Sequence, residues 1–494
     1  MSVNKDNIKI ILGLKLKQAR KEQKLSLAKL SEKSGLSISY LNEIEKGKKY
    51  PKPEKIHSLA IALGLNFDEL VSLKLERHLS PLSTLIKSDV LNDLPLSFFG
   101  IDSKKLVNLL ADAPTRVNAF ISAILEIARD HQLNQEHFYY SALRAYQELH
   151  LNYFEAIEDS VASCLRTFGL EKKGLQIEKL RNTLKDHYNY KFESIDLEKH
   201  PNLKGLRSAL KREIEPILYT NPTLQDSQIL FILGREIAFN FLKIEERPLT
   251  FSHHIAKNFN EVLNNFKASY FSIALLINQN ELHRDLDSFF SSETFDASQI
   301  EDLTKKYKVS PEMLFQRMTN ILPKKMGLKN LFFLRFNNNN HNDYYTLNKE
   351  LHLNKLHNPH GNKIEEHYCR RWITIEVLEE LKKKQRKNQN TNIIMAQRSS
   401  YIDSENEYLC ISIARSMYPT PNANSSVTIG LLLNDSLKKK VMFLNDVKIS
   451  TKKVNATCER CRLTDCKERV ADASIVAKKL QEQALEKEIS ELLN

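Results

Sequence analysis

The strongest constraint on this chain is a run of five short segments with helical spacing between residues 8 and 75, each bounded by residues that start or stop helices. Ile11, Leu14, Leu16 and Ala19 recur close to a 3.6-residue period, which predicts a first helix over residues 8–23. Ser26 stands as an N-cap before Leu27, Ala28 and Leu30. Gly35 ends that second helix, because glycine accepts the left-handed conformation that helix C-termini use. Ser37 caps a third helix over residues 38–46, closed by Gly47. Tyr50, Pro51 and Pro53 make the loop before a fourth helix, residues 54–63, and a fifth begins near Asn66. Ala28 and Gly35 are the small residues expected to let the second and third helices approach steeply, with Leu30, Leu36, Leu41 and Ile44 as their shared core.

The third helix presents Ser37, Ser39, Tyr40, Asn42 and Glu43 outward, short or hydrogen-bonding side chains suited to base edges in a major groove. Lys46, Lys48, Lys49 and Lys52 follow, placed to neutralise phosphates. Charge agrees with this: residues 1–75 hold fifteen Lys and Arg against eight Asp and Glu, a net of +7 out of +12 for the chain. The uninterrupted string from Leu14 to Leu70 resembles the Cro/C1-type (XRE) helix-turn-helix family. The resemblance implies that Arg20 pairs with Glu45 as part of the architecture. It also implies binding to a double-stranded DNA operator as a homodimer.

At 494 residues the chain is too long for one core, and two to four domains are expected. Hydrophobic residues at 41% and charged residues at 27% are those of an ordinary soluble protein, and no apolar run approaches a membrane span. The N-terminal charges come too early and too often for a secretory signal, so a cytoplasmic location is expected. Six cysteines there are reduced thiols, and where they cluster they point to metal rather than to disulfides.

Helical periodicity dominates residues 85–219, beyond a linker at 78–84, and these read as a helical connector and dimerisation region. The run around residues 224–242 resembles the central helix of the ImmA/IrrE-type peptidase-like domain, where an H-E-x-x-H pair binds zinc. Here Arg235 and Phe239 stand at the two histidine positions, flanking Glu236, Ile237 and Ala238. Arginine is not deprotonated to bind a metal and phenylalanine has no donor atom, which argues against a zinc protease and for a non-enzyme. His253 and His254 are adjacent and are expected to point apart.

Cys458, Cys461 and Cys466 have C-x2-C-x4-C spacing, which brings three thiolates to one inorganic centre and leaves a fourth ligand to be found. Cys369 is the best candidate; Cys410 sits in an alternating strand-like run that buries it, and Cys164 on a helical stripe. A structural zinc ion and a [4Fe-4S] cluster both suit three plus one. The ordered landmarks LKNLFFLRFN, LHNPHG, HYCRRWITIEVL, AQRSSYIDSENEYLCISIARSM and CERCRLTDCKERV resemble those of the short-chain acyl-coenzyme-A-responsive regulators. That resemblance implies a four-iron cluster held by Cys369, Cys458, Cys461 and Cys466, with an acyl-coenzyme A as effector. Tyr270, Arg317 and Arg335 stand at motif positions for the ligand, while Asn337 to Asn340 form a polar run expected to be a loop. An alternative makes the cluster itself the signal, as in an iron or redox sensor. Residues 471–493 read as an amphipathic helix docking on the cluster domain or on a partner protomer.

The expected fold is therefore mainly α. It comprises a five-helix DNA-binding domain (1–75), the helical connector (85–219), a degenerate zincin-like α+β sensor domain (220–345) and an α+β metal-binding module (346–494).

Overall fold

The computed structural model describes residues 5–72, 135–170, 174–247, 256, 258–339, 344–353, 366–389, 392–402, 404–420 and 423–493. The 78–84 linker, His253, His254, the LHNPHG motif and Asn340 lie outside the described residues. The chain divides into two compact units, residues 1–142 with 257–259, and residues 143–256 with 260–494.

The first unit opens with α1 (Lys5–Glu22), α2 (Leu27–Ser34), α3 (Ile38–Glu45), α4 (Pro53–Leu63) and α5 (Phe67–Val71). Ser26 and Ser37 cap α2 and α3 through their side chains, and Gly35 takes φ +71° after α2. Leu16, Leu30, Leu41, Ile44, Leu59 and Leu63 form the core. Gly13 lets α1 lie close to α3, for a Cβ there would be 2.3 Å from the carbonyl oxygen of Ile44. The expectation that Ala28 and Gly35 bring α2 close to α3 is corrected. Ala28 is exposed, and a Cβ on Gly35 would meet nothing within 4 Å, so that glycine serves the turn and not the packing.

Helix α6 (Gln135–Leu149), of which residues 143–149 belong to the second unit, precedes α7 (Glu155–Thr167) and α8 (Ile177–Tyr188). The helical connector expected up to residue 219 ends instead in a three-stranded sheet of β1 (Lys191–Ser194), β2 (Ser208–Lys211) and β3 (Ile217–Thr220), ordered β1-β3-β2. Next come α9 (Asp226–Phe241) and α10 (Phe259–Leu276), which touch at Gly234, where a Cβ would meet the Ser272 hydroxyl at 2.4 Å. Helices α11 (Gln279–Phe290), α12 (Ala297–Tyr307) and α13 (Pro311–Lys325) follow.

A six-stranded sheet ordered β5-β4-β8-β7-β6-β9 completes this unit. Its strands are β4 (Leu331–Asn339), β5 (Tyr345–His352), β6 (Ile393–Tyr401), β7 (Glu407–Ser416), β8 (Ala423–Leu432) and β9 (Ser450–Val454). Alternation sorts its side chains, since successive strand residues point to opposite faces. Leu331, Phe333, Leu409, Ile411 and Ile413 pack with α11, α12 and α13, while Phe332, Leu334, Phe336, Tyr408 and Cys410 pack with α14 (Ile373–Arg386). The expected boundary at 345/346 thus falls inside β5, which pairs with β4 in one sheet. Asn337, Asn338 and Asn339 belong to β4 rather than to a loop, because neighbouring strands pair with them: Asn337 and Asn338 with both β5 and β8, and Asn339 with Ala423 on β8. A one-turn helix α15 (Asp435–Lys438) leads toward β9, and α16 (Ser474–Leu493) ends the chain. Leu480, Leu485, Ile489 and Leu492 on α16 are exposed, and its start is tied to the body by the Ile475 amide donating to the Glu459 carbonyl at 3.2 Å.

Candidate functional sites: a helix face, a cysteine ring and a cationic cavity

Helix α3 is held by its buried side. Leu41 and Ile44 face the core, and Arg20 grips Glu45 from α1 through Nε to Oε1 at 2.6 Å and Nη2 to Oε2 at 2.8 Å. The opposite side is open. Ser37 and Ser39 are exposed, as are Lys46, Lys48, Lys49 and Lys52, while Tyr40, Asn42 and Glu43 are half-buried. Ser37 Oγ is committed to capping, accepting from the Tyr40 amide at 3.3 Å. Glu43 is paired with Lys49 at 2.7 Å, and Lys55 lies 4.4 Å over the Tyr40 ring, so both side chains are pre-positioned. Ile38, 50% exposed at the first turn, is a candidate missed by a reading that sought only polar groups; an apolar side chain there suits a thymine methyl.

The four cysteines expected to act together line one small cavity, although Cys369 is 89 residues from Cys458 in sequence. Their segments are zipped by backbone: the Cys369 amide donates to Ala456 O at 3.2 Å, and the Cys458 amide to His367 O at 2.9 Å. Arg460 binds Glu366 through two hydrogen bonds of 2.7 Å, closing the same seam. Arg469 shapes the loop, its guanidinium donating to the carbonyls of Cys458 (2.8 Å), Cys461 (3.0 Å), Leu463 (2.5 Å) and Ala471 (3.2 Å). Arg370, Arg371, Lys453 and Arg469 also line the cavity, together with Glu468, whose carboxylate accepts from Cys466 Sγ at 3.6 Å. Burial pushes the Cys369 thiol up to about 11, so it becomes a thiolate at neutral pH only beside a strong positive charge. Among the described residues no group of three or more His, Cys, Asp or Glu is placed to hold a single metal ion. All six cysteines are free; Cys410 and Cys164 lie buried away from the ring, each with its thiol pushed up to about 12 by burial.

The three residues singled out for a ligand are not together. Arg317 is completely buried, donating to Glu158 at 2.5 and 3.0 Å and to Ile277 O at 3.1 Å, and Tyr270 donates to the same Glu158 at 2.8 Å. Burial opposes the charge on Arg317, but the Glu158 carboxylate holds its pKa above the ordinary value. These two are core cross-links between α7, α10 and α13. Arg335 differs, for it faces a cavity of about 80 Å³ together with Arg207, Lys349 and Arg415. One carboxylate answers these cations: Glu312 meets Arg335 at 3.0 Å and Lys349 at 2.6 Å. Burial works against it, yet Arg335 and Lys349 hold the Glu312 carboxyl well below the usual carboxylate range. Phe231, Ile232, Ile413, Met417 and Val427 supply an apolar wall. Arg207, Glu312, Lys349 and Arg415 escaped the sequence reading because four separate segments deliver them.

On α9 the side chains of Arg235 and Phe239 are both buried. Arg235 donates to Asn265 at 2.8 Å and stacks against Phe239 at 5.4 Å. Glu236 is bound by Tyr190 at 2.9 Å and Arg247 at 3.0 Å, and burial raises its pKa.

Comparison with known proteins agrees on the N-terminal part. The family described as Helix-turn-helix matches residues 16–70, so the chain carries a domain of that family. Over 60 residues the chain is 38% identical to the immunity repressor protein of Bacillus phage phi105, a match covering 12% of this chain and 42% of the repressor. The chain thus spans less than half the length of that relative. A Mycobacterium tuberculosis transcriptional regulator of known structure aligns with a TM-score of 0.47 at 14% identity, over 68% of this chain and 93% of the regulator. Among the described residues no helix is long and apolar enough to cross a membrane.

Proposed function

We propose that this chain is a cytoplasmic transcriptional regulator that binds double-stranded DNA as a homodimer through α3, under the control of a short-chain acyl-coenzyme A. The observation carrying the DNA reading is the α3 face: a capped helix with its polar N-terminal half outward and four exposed lysines just beyond it. Such a helix enters a major groove while the lysines meet phosphates.

The effector reading rests on the cationic cavity. Coenzyme A carries phosphates that need several cations and a thioester arm that needs an apolar wall, and Arg207, Arg335, Lys349 and Arg415 beside Phe231, Ile413 and Val427 offer both. The cavity joins α9, α10 and α13 to the six-stranded sheet, so a ligand that fits one arrangement of these layers better than another shifts their equilibrium. Replacing Arg335 with Ala weakens coenzyme A binding, measured by calorimetry, and leaves operator binding intact. Unchanged ligand affinity removes Arg335 and this cavity from the reading.

Cys369, Cys458, Cys461 and Cys466 are the residues to hold an inorganic centre. The donor set fits: four soft sulfurs around a cavity, none in a disulfide, with Arg370, Arg371, Lys453, Arg469 and Glu468 beside them. The centre proposed here is a [4Fe-4S] cluster, with a structural zinc ion as the alternative that the same four sulfurs suit. Such a cluster supplies a cross-link and a one-electron couple. Arg469 fixes the loop carbonyls, and the seam through Cys369 and Ala456 brings the fourth ligand in. Anaerobically purified protein absorbing near 400 nm supports iron and sulfur; a colourless protein with bound zinc supports the structural ion instead. Arg235 and Phe239 at the two histidine positions support a non-enzymatic role, and proteolysis blocked by a chelator would contradict it.

A further inference from the structure

We propose that Glu312 is the selectivity element of the cationic cavity: a resident carboxylate that takes the place of an incoming anion, so that only a ligand bringing several negative charges, of the phosphoanhydride class, displaces it. The inference deepens the effector reading above and rests on it.

Glu312 is fully engaged. One carboxylate oxygen meets Arg335 at 3.0 Å; the other meets Lys349 at 2.6 Å and accepts from Gln316 Nε2 at 3.2 Å. It sits in the first turn of α13, which Ser310 caps by accepting from the Met313 amide, so the backbone fixes where the charge stands. Four cations against one carboxylate leave the cavity with a surplus of three positive charges. Two of the cations are not committed to that carboxylate by contact. Among the described residues Arg207 has no side-chain hydrogen bond or ion pair, and Arg415 reaches only Gln225 Oε1, at 3.4 Å.

A monoanion entering here would exchange one negative charge for another at Arg335 and Lys349. It would also have to compete with a carboxylate tethered beside them, whose effective concentration is on the order of millimolar or above. That exchange gains nothing. A ligand with two or more phosphate groups also makes direct contact with Arg207 and Arg415, on which Glu312 acts only through space, and so gains more than the exchange loses. Space sets the same requirement. About 80 Å³ holds a few waters or one small anionic group beside the carboxylate, and a larger polyanion enters only as Glu312 withdraws. Because Glu312 belongs to α13, and Arg335 and Lys349 to β4 and β5, its withdrawal also breaks the link between that helix and the sheet edge.

The test is calorimetric titration of the full chain, wild type and Glu312→Gln, with inorganic pyrophosphate, acetate and coenzyme A. Wild type is expected to bind coenzyme A and pyrophosphate and to ignore acetate. Glu312→Gln is expected to bind pyrophosphate at least tenfold more tightly and to gain measurable acetate binding. Glu312→Asp, which keeps the charge but draws it back by one methylene, gives an intermediate gain and serves where Glu312→Gln does not fold. Unchanged or weaker pyrophosphate affinity in folded variants overturns the proposal, even if wild type binds coenzyme A. If no form binds coenzyme A while Glu312→Gln still gains pyrophosphate affinity, the effector reading fails and the role of Glu312 stands.

Discussion

Arg20 of α1 and Glu45 at the end of α3 face each other with both guanidinium–carboxylate hydrogen bonds formed, the two side chains only 12% and 6% exposed. The pair ties α3, the helix proposed to read bases, to α1. Removing one partner takes the counter-charge from the other, although Arg20 also donates to the Leu25 carbonyl at 2.8 Å, and costs about 3 kcal/mol. Arg20→Ala and Glu45→Ala should each lower the melting temperature of the N-terminal domain clearly, and the double variant by much less than their sum. Additive losses in thermal melts would show that the contact is incidental.

The α3 face makes a separable prediction for specificity and affinity. Ser39→Ala changes a group placed to meet base edges and should flatten the preference between operator variants. Lys48→Ala removes a cation proposed to meet phosphate, so affinity should fall by a similar factor on every duplex and the salt-dependence slope should drop by about one. Fluorescence anisotropy across a salt series distinguishes the two; a Lys48→Ala variant with an unchanged slope contradicts the phosphate role.

What could be read from sequence divides by distance along the chain. The caps Ser26 and Ser37, the left-handed Gly35 and the buried Leu30, Leu41 and Ile44 follow from neighbours within a turn or two, and all are found where expected. Gly13 escaped notice because its reason, the Ile44 carbonyl, is 31 residues away and visible only once α1 and α3 are packed. Four asparagines in a row read as a loop by composition, but pairing of the first two with β5 and β8 and of the third with β8 overrides it. Among the candidate sites, the cysteine group was accessible because cysteine chemistry is sparse and its spacing telling. The cationic cavity was not: arginine and lysine are common, and only folding shows that Arg207, Arg335, Lys349 and Arg415 meet while Arg317 is spent in the core on Glu158.

Arg317 should therefore behave as a structural residue. Arg317→Met leaves Glu158 buried with only Tyr270 and is expected to cost about 3–5 kcal/mol of stability, read from urea unfolding. Its effect on coenzyme A binding should be no larger than the loss of folded protein explains. A variant with wild-type stability and abolished ligand binding would return Arg317 to the ligand site.

Glu312 carries a pH signature. Its folded-state pKa lies below the ordinary 4.5, so the charged form stabilises the fold above that value, and this contribution is lost as pH falls through the depressed value. The melting-temperature gap between wild type and Glu312→Gln should stay constant from about pH 7 to pH 5 and narrow only below about pH 4.5. A gap that closes near neutrality would mean that Glu312 is not held by these cations.

Selection of duplexes from a randomised pool, by the full chain and by a form lacking residues 1–75 in parallel, tests the central claim most directly. The account predicts that the full chain enriches one motif with two related half-sites and that the shortened form enriches none. The same motif recovered without the first 75 residues, or no enrichment by the full chain, would contradict it.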